Sequence, residues 1–272
     1  MKTAISKLDV RRAVSVVDAL TLLQSERRTP IAGCTDLYVA LNFGTLAPRK
    51  FVDIWTLDDL RKISVRDGTL SIGALATYTS IIRSPLVADR LPMLVLAAQQ
   101  IGGPQIQNRG TLGGNIANAS PAGDSLPVLM ACDAIVVLQS LDAERRIPLS
   151  EFYVGYRATA MRPDELIVAV EIPVVEGRQW FRKVGTRAAQ AISKLVIAAV
   201  RGDGVRIALG SVAPTVMRAY KTERALADGA NIEEAARILR DEIRPIDDIR
   251  STAEYRSTIA ANLLRRFWSD TG

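Results

Sequence analysis

Apolar residues recur at helical spacing through most of the first half of the chain. Val16, Ala19, Leu20 and Leu23 share one helical face, directly after a serine that can cap a helix. The same spacing, read along the chain, predicts helices over Ser15–Glu26, from Leu37 onward, and over Thr77–Ile82, Leu91–Ile101 and Leu126–Ala131.

Short runs of apolar and β-branched residues predict strands between these helices. The runs begin near Ile31 and continue at Phe51–Ile54, Arg61–Val65, Leu70–Ile72, Ala134–Gln139 and Leu166–Ile172. Asp67-Gly68 separates two of them, and this dipeptide is a strong signal for a β-hairpin. The first two thirds of the chain therefore mix helices and strands.

The C-terminal third has its strands first and its helices afterwards. Strands are predicted over Trp180–Val184, Ala191–Val200 and Val205–Val212, with a turn at residues 202–204 between the last two. Helices are predicted over Arg218–Ala227, Ile232–Arg240 and Ala253–Phe267. This order is typical of an α+β unit, a three-stranded antiparallel sheet backed by helices.

The segment Ile101–Asp124 has too few aliphatic side chains for a core helix or strand, and we expect a loop. It reads IGGPQIQNRGTLGGNIANASPAGD. Gly113 and Gly114 let the main chain approach a ligand closely, and successive N–H groups in such a turn suit a phosphate. Thr111, Asn115 and Asp124 add polar side chains. A glycine-rich connector with solvated polar groups is the alternative, and composition leaves both open.

The first of two small-residue turns in chain order lies at Ile31–Leu37, where a short strand runs into a predicted helix, and the second is the glycine pair region at residues 111–115. Free N–H groups at the start of that helix would face an anion, with support from the helix dipole. An ordinary capped strand–helix turn is the alternative, and by itself it is the more frequent case.

Composition indicates a globular protein with a substantial core. The chain has 272 residues, 48% of them hydrophobic and 24% charged. Apolar runs long enough to span a bilayer are absent, and MKTAISKLDVRR lacks the apolar region of a secretory signal. Cys34 and Cys132 are too far apart in sequence for a CxxC motif, so we expect no disulfide framework or iron–sulfur cluster in this chain, and a cytoplasmic location.

The charge and the missing residue types narrow the classes of function. The net charge is +6 with a pI near 9.5, but acidic residues interleave with the arginines, which disfavours nucleic-acid binding. Histidine is absent, which excludes His-based triads and His-ligated zinc. GxGxxG and P-loop motifs are absent as well. If the chain is an enzyme, a bound cofactor must supply most of the chemistry.

The two turns together resemble those of a known family. Residues 32–36 (AGCTD) resemble an AGGTD-type turn and residues 111–115 (TLGGN) a TIGGN turn. Both are typical of the FAD-binding medium subunits of molybdenum hydroxylases, the family of xanthine dehydrogenase, carbon monoxide dehydrogenase and 4-hydroxybenzoyl-CoA reductase. Residues 107–110 (QNRG), 116–124 (IANASPAGD), 181–185 (FRKVG) and 208–218 (ALGSVAPTVMR) resemble the family pattern too.

The resemblance implies a fold and a set of domains. The fold would be the FAD-binding PCMH type, like that of vanillyl-alcohol oxidase, with two α/β subdomains at residues 1–56 and 57–175. A C-terminal domain resembling that of the carbon monoxide dehydrogenase flavoprotein, with a three-stranded sheet and a helical bundle, would occupy residues 176–272.

The resemblance also implies a site. Both turns would present N–H groups to the FAD pyrophosphate, Asp124 would contact the ribose or nearby nucleotide, and Lys183 would lie near the flavin and favour its reduced anion. Ile101, Gly102 and Ile167 would be minor wall contacts. The implied cofactor-binding residues are Ile31, Ala32, Gly33, Cys34, Thr35, Asp36, Leu37, Ile101, Gly102, Thr111, Leu112, Gly113, Gly114, Asn115, Asp124, Ile167 and Lys183. The resemblance implies no catalytic side chain and no metal ligand in this chain.

Cys34 departs from the family pattern, which has glycine there. A cysteine fits the turn freely only if its φ is negative, and a positive φ costs about 1 kcal/mol. We expect Cys34 to be a small filler rather than a reactive thiol. The cysteine-rich insertion of 4-hydroxybenzoyl-CoA reductase is also absent.

The implied function is electron transfer within a larger enzyme. A large subunit would carry the molybdopterin cofactor and a small subunit two [2Fe–2S] clusters, in a dimer of heterotrimers. FAD on this chain would pass the electrons to NAD+, O2 or a quinone. Two alternatives stay open: a stand-alone FAD oxidoreductase of the same fold, like UDP-N-acetylenolpyruvylglucosamine reductase, and a non-catalytic basic binding module.

Overall fold

The computed structural model describes residues 7–47 and 49–272, so the start of the predicted first subdomain lies outside the described residues. The N-terminal unit is a three-stranded parallel sheet in the order β1-β3-β2 with two helices. Its elements are β1 (Asp9–Arg12), α1 (Val16–Glu26), β2 (Thr29–Ile31), α2 (Leu37–Phe43) and β3 (Lys50–Asp53). The helix predicted after Ser15 is confirmed, and the Ser15 side chain accepts a hydrogen bond from the Asp18 N–H.

Parallel pairing puts the carboxyl ends of β2 and β3 at one edge of this sheet. Ile31 is paired with Asp53, and the Ile54 N–H donates to the Ile31 carbonyl over 3.0 Å. The first small-residue turn follows β2 and Trp55 follows β3. Both segments therefore leave the sheet side by side.

The middle unit is a five-stranded antiparallel sheet, order β4-β5-β10-β6-β7, with helices that share its core. Its elements are a 3₁₀ turn (Asp58–Arg61), β4 (Ile63–Arg66), β5 (Thr69–Gly73), α3 (Tyr78–Arg83), α4 (Pro85–Arg90), α5 (Pro92–Gln99), α6 (Pro104–Arg109), α7 (Leu112–Asn118), α8 (Leu126–Ala131), β6 (Ile135–Gln139), β7 (Glu144–Pro148), α9 (Leu149–Phe152), β8 (Tyr153–Gly155), β9 (Ala158–Thr159) and β10 (Leu166–Ile172). The hairpin around residues 67–68 is confirmed.

The prediction that Ile101–Asp124 is a loop is wrong, because α6 and α7 lie within it. Thr111 caps α7 and accepts a hydrogen bond from the Gly114 N–H, while Leu112 and Ile116 are buried. A Cβ on Gly113 would lie 2.7 Å from the Cβ of Ala74. The helix thus packs closely on the end of β5 because its side chains are small. A low content of aliphatic residues therefore does not exclude a buried helix.

The C-terminal unit is a four-stranded sheet, order β11-β12-β13-β14, with three helices. Its elements are β11 (Arg178–Val184), β12 (Leu195–Arg201), β13 (Val205–Gly210), β14 (Met217–Arg218), α10 (Tyr220–Ala227), α11 (Ile232–Glu242) and α12 (Ala253–Asp270). The three predicted strands are present, although β12 begins four residues later than predicted, and the two-residue β14 extends the sheet. Across the described ranges, no helix has the length and apolar character needed to cross a membrane.

The two faces of this sheet pack against different partners. Trp180, Ile197 and Leu209 face the C-terminal helices, whereas Phe181 and Val196 join the core of the middle unit. Since alternate residues of a strand point to opposite faces, Lys183 shares the face of Phe181. β11 therefore directs Lys183 toward the middle unit.

Candidate functional site

The first small-residue turn is in direct contact with the two residues that lead into the second turn. A Cβ built on Gly33 would lie 1.7 Å from the carbonyl oxygen of Arg109 and 3.3 Å from the nitrogen of Gly110. Any side chain larger than hydrogen at position 33 would overlap that carbonyl. Gly33 is therefore required for the first turn to reach the start of the second.

The first turn offers a run of unbonded main-chain donors. Among the hydrogen bonds of the described residues, none has an N–H of residues 32–37 as its donor. Asp36 begins α2, but its side chain makes no capping hydrogen bond. Consecutive N–H groups without a protein acceptor are suited to an anion.

Cys34 has the positive φ that its side chain disfavours, with φ at 60°. Its Sγ lies 3.4 Å from the Ala32 carbonyl, to which it donates. Burial raises the pKa of the thiol, and the positive charge of Arg109 opposes that shift. A half-buried thiol with a raised pKa is a poor nucleophile, in agreement with a filler role.

The conformation of Cys34 leads to a stability prediction. We expect C34G to raise the free energy of unfolding by up to about 1 kcal/mol, because glycine adopts a positive φ without steric cost. Urea unfolding of the full chain measures this difference. C34A, which keeps the Cβ, is the control and should give no such gain. A C34G protein less stable than C34A would contradict the prediction.

The second turn differs from the expectation that its N–H groups are free. Leu112 donates to the Ala76 carbonyl over 3.0 Å and Gly113 to the Ala74 carbonyl over 2.8 Å. Gly114 donates to the Thr111 hydroxyl over 3.1 Å. The two glycines also have different surroundings: Gly113 is packed against Ala74, the residue that follows β5, while a Cβ on Gly114 would meet only Thr111 Oγ1 within 4 Å. Gly114 is thus the position of the second turn at which a ligand can come closest to the main chain.

A cavity of about 380 Å³ opens between the N-terminal and middle units, next to both turns. Predicted site residues that line it are Ile31, Ala32, Thr111, Gly113, Gly114 and Ile167. Two buried charged residues complete the wall. Arg28 is bound to Asp9 over 2.7 Å, and Glu165 accepts from the Arg162 N–H over 2.7 Å.

Asp124 and Lys183 form a buried ion pair. Lys183 Nζ lies 2.6 Å from Asp124 Oδ2 and donates to the Gln100 carbonyl over 2.9 Å. The two side chains are 8% and 5% exposed, respectively. Asp124 Oδ1 is buried and has no hydrogen-bond partner among the described residues. Burial raises the pKa of Asp124 to about 6, against the opposing attraction of Lys183.

The raised pKa of Asp124 leads to a pH prediction. Its pKa of about 6 in the folded chain exceeds the ordinary value of 3.8, so the folded state holds this proton more tightly. This contribution to stability is complete below pH 3.8 and is lost as the pH rises through 6. We expect D124N to remove a slope of up to about 1.4 kcal/mol per pH unit in this window. Urea unfolding across the window compares the two chains, and an unchanged slope in D124N would contradict the assignment.

The ion pair is linked to the second turn by hydrogen bonds. Ser125, next to Asp124, donates to Asn115 Oδ1 over 2.8 Å and lies 3.2 Å from the Tyr78 hydroxyl. On the other side, Ile101 and Gly102 directly follow Gln100, whose carbonyl accepts from Lys183. The predicted site residues therefore form two linked groups, one around the turns and the cavity and the other around Lys183.

Several residues near the turns are not indicated by the sequence pattern. Trp55 and Arg61 have no role predicted from the sequence, and Arg109 enters only as part of the QNRG segment. Arg28 and Glu165 were missed because their burial depends on tertiary packing. Of these residues, only Arg109 could be connected with the site from the sequence, because it lies two residues before Thr111.

Comparison with known proteins relates this geometry to a family. Residues 6–175 match the family model described as FAD binding domain in molybdopterin dehydrogenase. Residues 180–271 match the CO dehydrogenase flavoprotein C-terminal domain. The α+β fold of the FAD-binding PCMH type, predicted from the sequence, is confirmed.

Whole-length relatives support the same assignment. The alpha subunit of the 6-hydroxypseudooxynicotine dehydrogenase complex of Paenarthrobacter nicotinovorans is 33% identical over 93% of this chain and 90% of its own length. The carbon monoxide dehydrogenase medium chain of Hydrogenophaga pseudoflava is 30% identical over 87% and 86%. A solved structure of carbon monoxide dehydrogenase from that organism has a TM-score of 0.89 at 30% identity, covering 96% of this chain and 95% of that one. The chain belongs to the FAD-binding subunits of the molybdenum hydroxylase family and is an oxidoreductase subunit.

Proposed function

We propose that this chain binds FAD across the two turns and passes electrons through it within a heteromeric molybdenum enzyme. The observation that carries the proposal is the contact of Gly33 with residues 109–110, at the entry to the second turn, beside unbonded N–H groups at residues 32–37. A diphosphate accepts several hydrogen bonds at once and matches such a run. The second turn contributes mainly the open surface at Gly114 and the Thr111 hydroxyl.

The cavity suits the nucleotide end of the cofactor. Its wall is largely apolar, with Ile31, Leu75 and Ile167 among its members. A flat aromatic base is held by such walls, with a few polar groups to fix its orientation. We assign the adenine to this cavity, which leaves Ile167 as a wall contact.

The flavin end of the cofactor belongs near Lys183. A buried lysine ammonium stabilises added negative charge on a neighbouring ring system and so favours its reduced form. Asp124 holds the ammonium in place, so we propose it at the flavin end rather than at the ribose that the resemblance implies, and its unpartnered Oδ1 is free to accept a hydrogen bond from the cofactor. An oxygen left without a partner in a buried site is costly, which supports a ligand at this position.

The wider assembly is part of the proposal. Several relatives are named as medium chains or as subunits of dehydrogenase complexes. We propose a large molybdopterin subunit and a small [2Fe–2S] subunit as partners, in a dimer of heterotrimers in the cytoplasm. NAD+, O2 or a quinone would be the final acceptor. The chain would divide at residues 175–176, with subdomains meeting near residue 56.

Purification of the tagged chain from its native cells tests this function. The expected product is yellow from bound flavin and contains molybdenum and iron in co-purifying subunits, and substrate oxidation bleaches the flavin. A colourless chain that purifies alone at every salt concentration would contradict the proposal. A yellow chain without molybdenum or iron would instead support the stand-alone oxidoreductase.

A further inference from the structure

Trp55 lies between two arginine side chains beside the first turn. The guanidinium carbon of Arg109 is 3.8 Å from the centre of the Trp55 ring, and that of Arg61 is 4.2 Å away. An arginine above the face of a tryptophan is attracted by the ring and held in one orientation. This stack orders the guanidinium of Arg109, which is otherwise exposed to solvent.

The two arginines of the stack differ in their other partners. Arg61 has a hydrogen bond from each of its three side-chain nitrogens: to the Leu75 carbonyl over 3.1 Å, to the Trp55 carbonyl, and to Asp58. Arg109 has only the ring contact, with no hydrogen bond or ion pair to any residue in the described ranges. A positioned guanidinium with all its N–H groups free is ready to bind an anion.

The place of the stack in the fold directs this charge toward the first turn. Trp55 and the turn leave neighbouring parallel strands at the same edge, and the main chain of Arg109 touches Gly33. The side-chain charge of Arg109 acts on Cys34, in the middle of the turn. The acidic neighbour Asp53 is bound by Arg12 over 3.3 Å and by the Trp55 N–H over 2.9 Å, and within the described ranges it makes no ion pair with Arg109.

We propose that Arg109, held by Trp55, is the cation that binds the diphosphate of the cofactor at the first turn. This inference rests on the proposed function and adds a charged residue to a site otherwise made of main-chain groups. It predicts that the affinity for diphosphate-bearing ligands depends on Arg109 and on salt, whereas the affinity for the flavin ring alone does not.

Titration of the full chain with FAD, ADP and riboflavin tests this inference, with R109Q as the variant. We expect R109Q to bind FAD about tenfold more weakly, since a charge-assisted hydrogen bond is lost. ADP affinity should fall in parallel, riboflavin affinity should stay, and the salt dependence of FAD binding should flatten. R66Q is the matched control, because Arg66 is also exposed and without a partner in the described part of the chain, but lies on the β4–β5 hairpin.

The outcomes separate this inference from the proposed function. Equal FAD affinity in R109Q and the unchanged chain would overturn the role of Arg109 and leave the proposed function intact. An unchanged chain that binds no FAD would overturn the proposed function. If R109Q lost riboflavin affinity equally, the residue would act on the fold and the inference would fail. W55L removes the ring on which Arg109 stacks, and it should weaken FAD binding less than R109Q does. In the double variant, W55L should add little to the loss of FAD affinity that R109Q causes alone.

Discussion

Substitution of Gly33 by alanine is expected to abolish FAD binding. The new methyl group would lie 1.7 Å from the Arg109 carbonyl oxygen, far inside van der Waals contact. The carbonyl group belongs to the main chain and cannot rotate away as a flexible side chain can. The overlap is therefore relieved only if the two turns move apart. We expect a cost of about 3 kcal/mol in the free energy of unfolding, measured by urea unfolding. We also expect no measurable FAD affinity in a fluorescence titration.

Gly204 supplies the matched control for this substitution. It lies in the β12–β13 hairpin, and a Cβ there would meet nothing within 4 Å. G204A should therefore leave both stability and FAD affinity essentially unchanged. Normal FAD binding by G33A would show that the contact between the turns is not needed for the site.

Replacement of Lys183 by methionine is expected to give the second large effect. It leaves the Asp124 carboxylate buried, with the Gln100 carbonyl also without its donor. Breaking a buried pair by removing one partner costs about 3 kcal/mol or more. Without the ammonium, the pKa of Asp124 rises further, so the loss of stability should be smaller at pH 5 than at pH 7. Urea unfolding at both pH values measures this.

The pair Lys62–Asp59 is the control for this second prediction. Its Nζ–Oδ1 distance of 2.7 Å is similar, but the two side chains are 75% and 80% exposed. K62M should change stability very little, because solvent screens an exposed pair. If K183M lowered the free energy of unfolding no more than K62M, Lys183 and Asp124 would not form a buried ion pair. In the FAD-bound chain, K183M should also lower the flavin reduction potential, since a positive charge is lost nearby.

Local patterns were sufficient to predict most of the secondary structure. The Ser15 cap, the Asp67-Gly68 hairpin and the long C-terminal strands are each determined by residues close together in sequence. These predicted features are confirmed. Helix α7 was missed because its stability comes from the fit of Gly113 against Ala74. That fit depends on a strand about forty residues away, which no local pattern contains.

The candidate site was only partly predictable for the same reason. The two turns could be recognised as segments, but their contact at Gly33 depends on the packing of α6. Hydrogen-bonding of the second turn to residues 74 and 76 could not be predicted from its glycine content. Likewise, the pairing of Asp124 with Lys183 requires β11 to lie against the middle unit, and the positive φ of Cys34 appears only in the folded turn.

Amide NMR of the full chain as FAD is added tests directly whether the first turn binds the diphosphate. We expect the N–H resonances of residues 32–36 to shift strongly with FAD and with ADP, and to stay in place with riboflavin. The already bonded amides of residues 112–115 should move less. If FAD bound while the resonances of residues 32–36 stayed unchanged, the diphosphate would lie elsewhere and the first turn would not be its binding site.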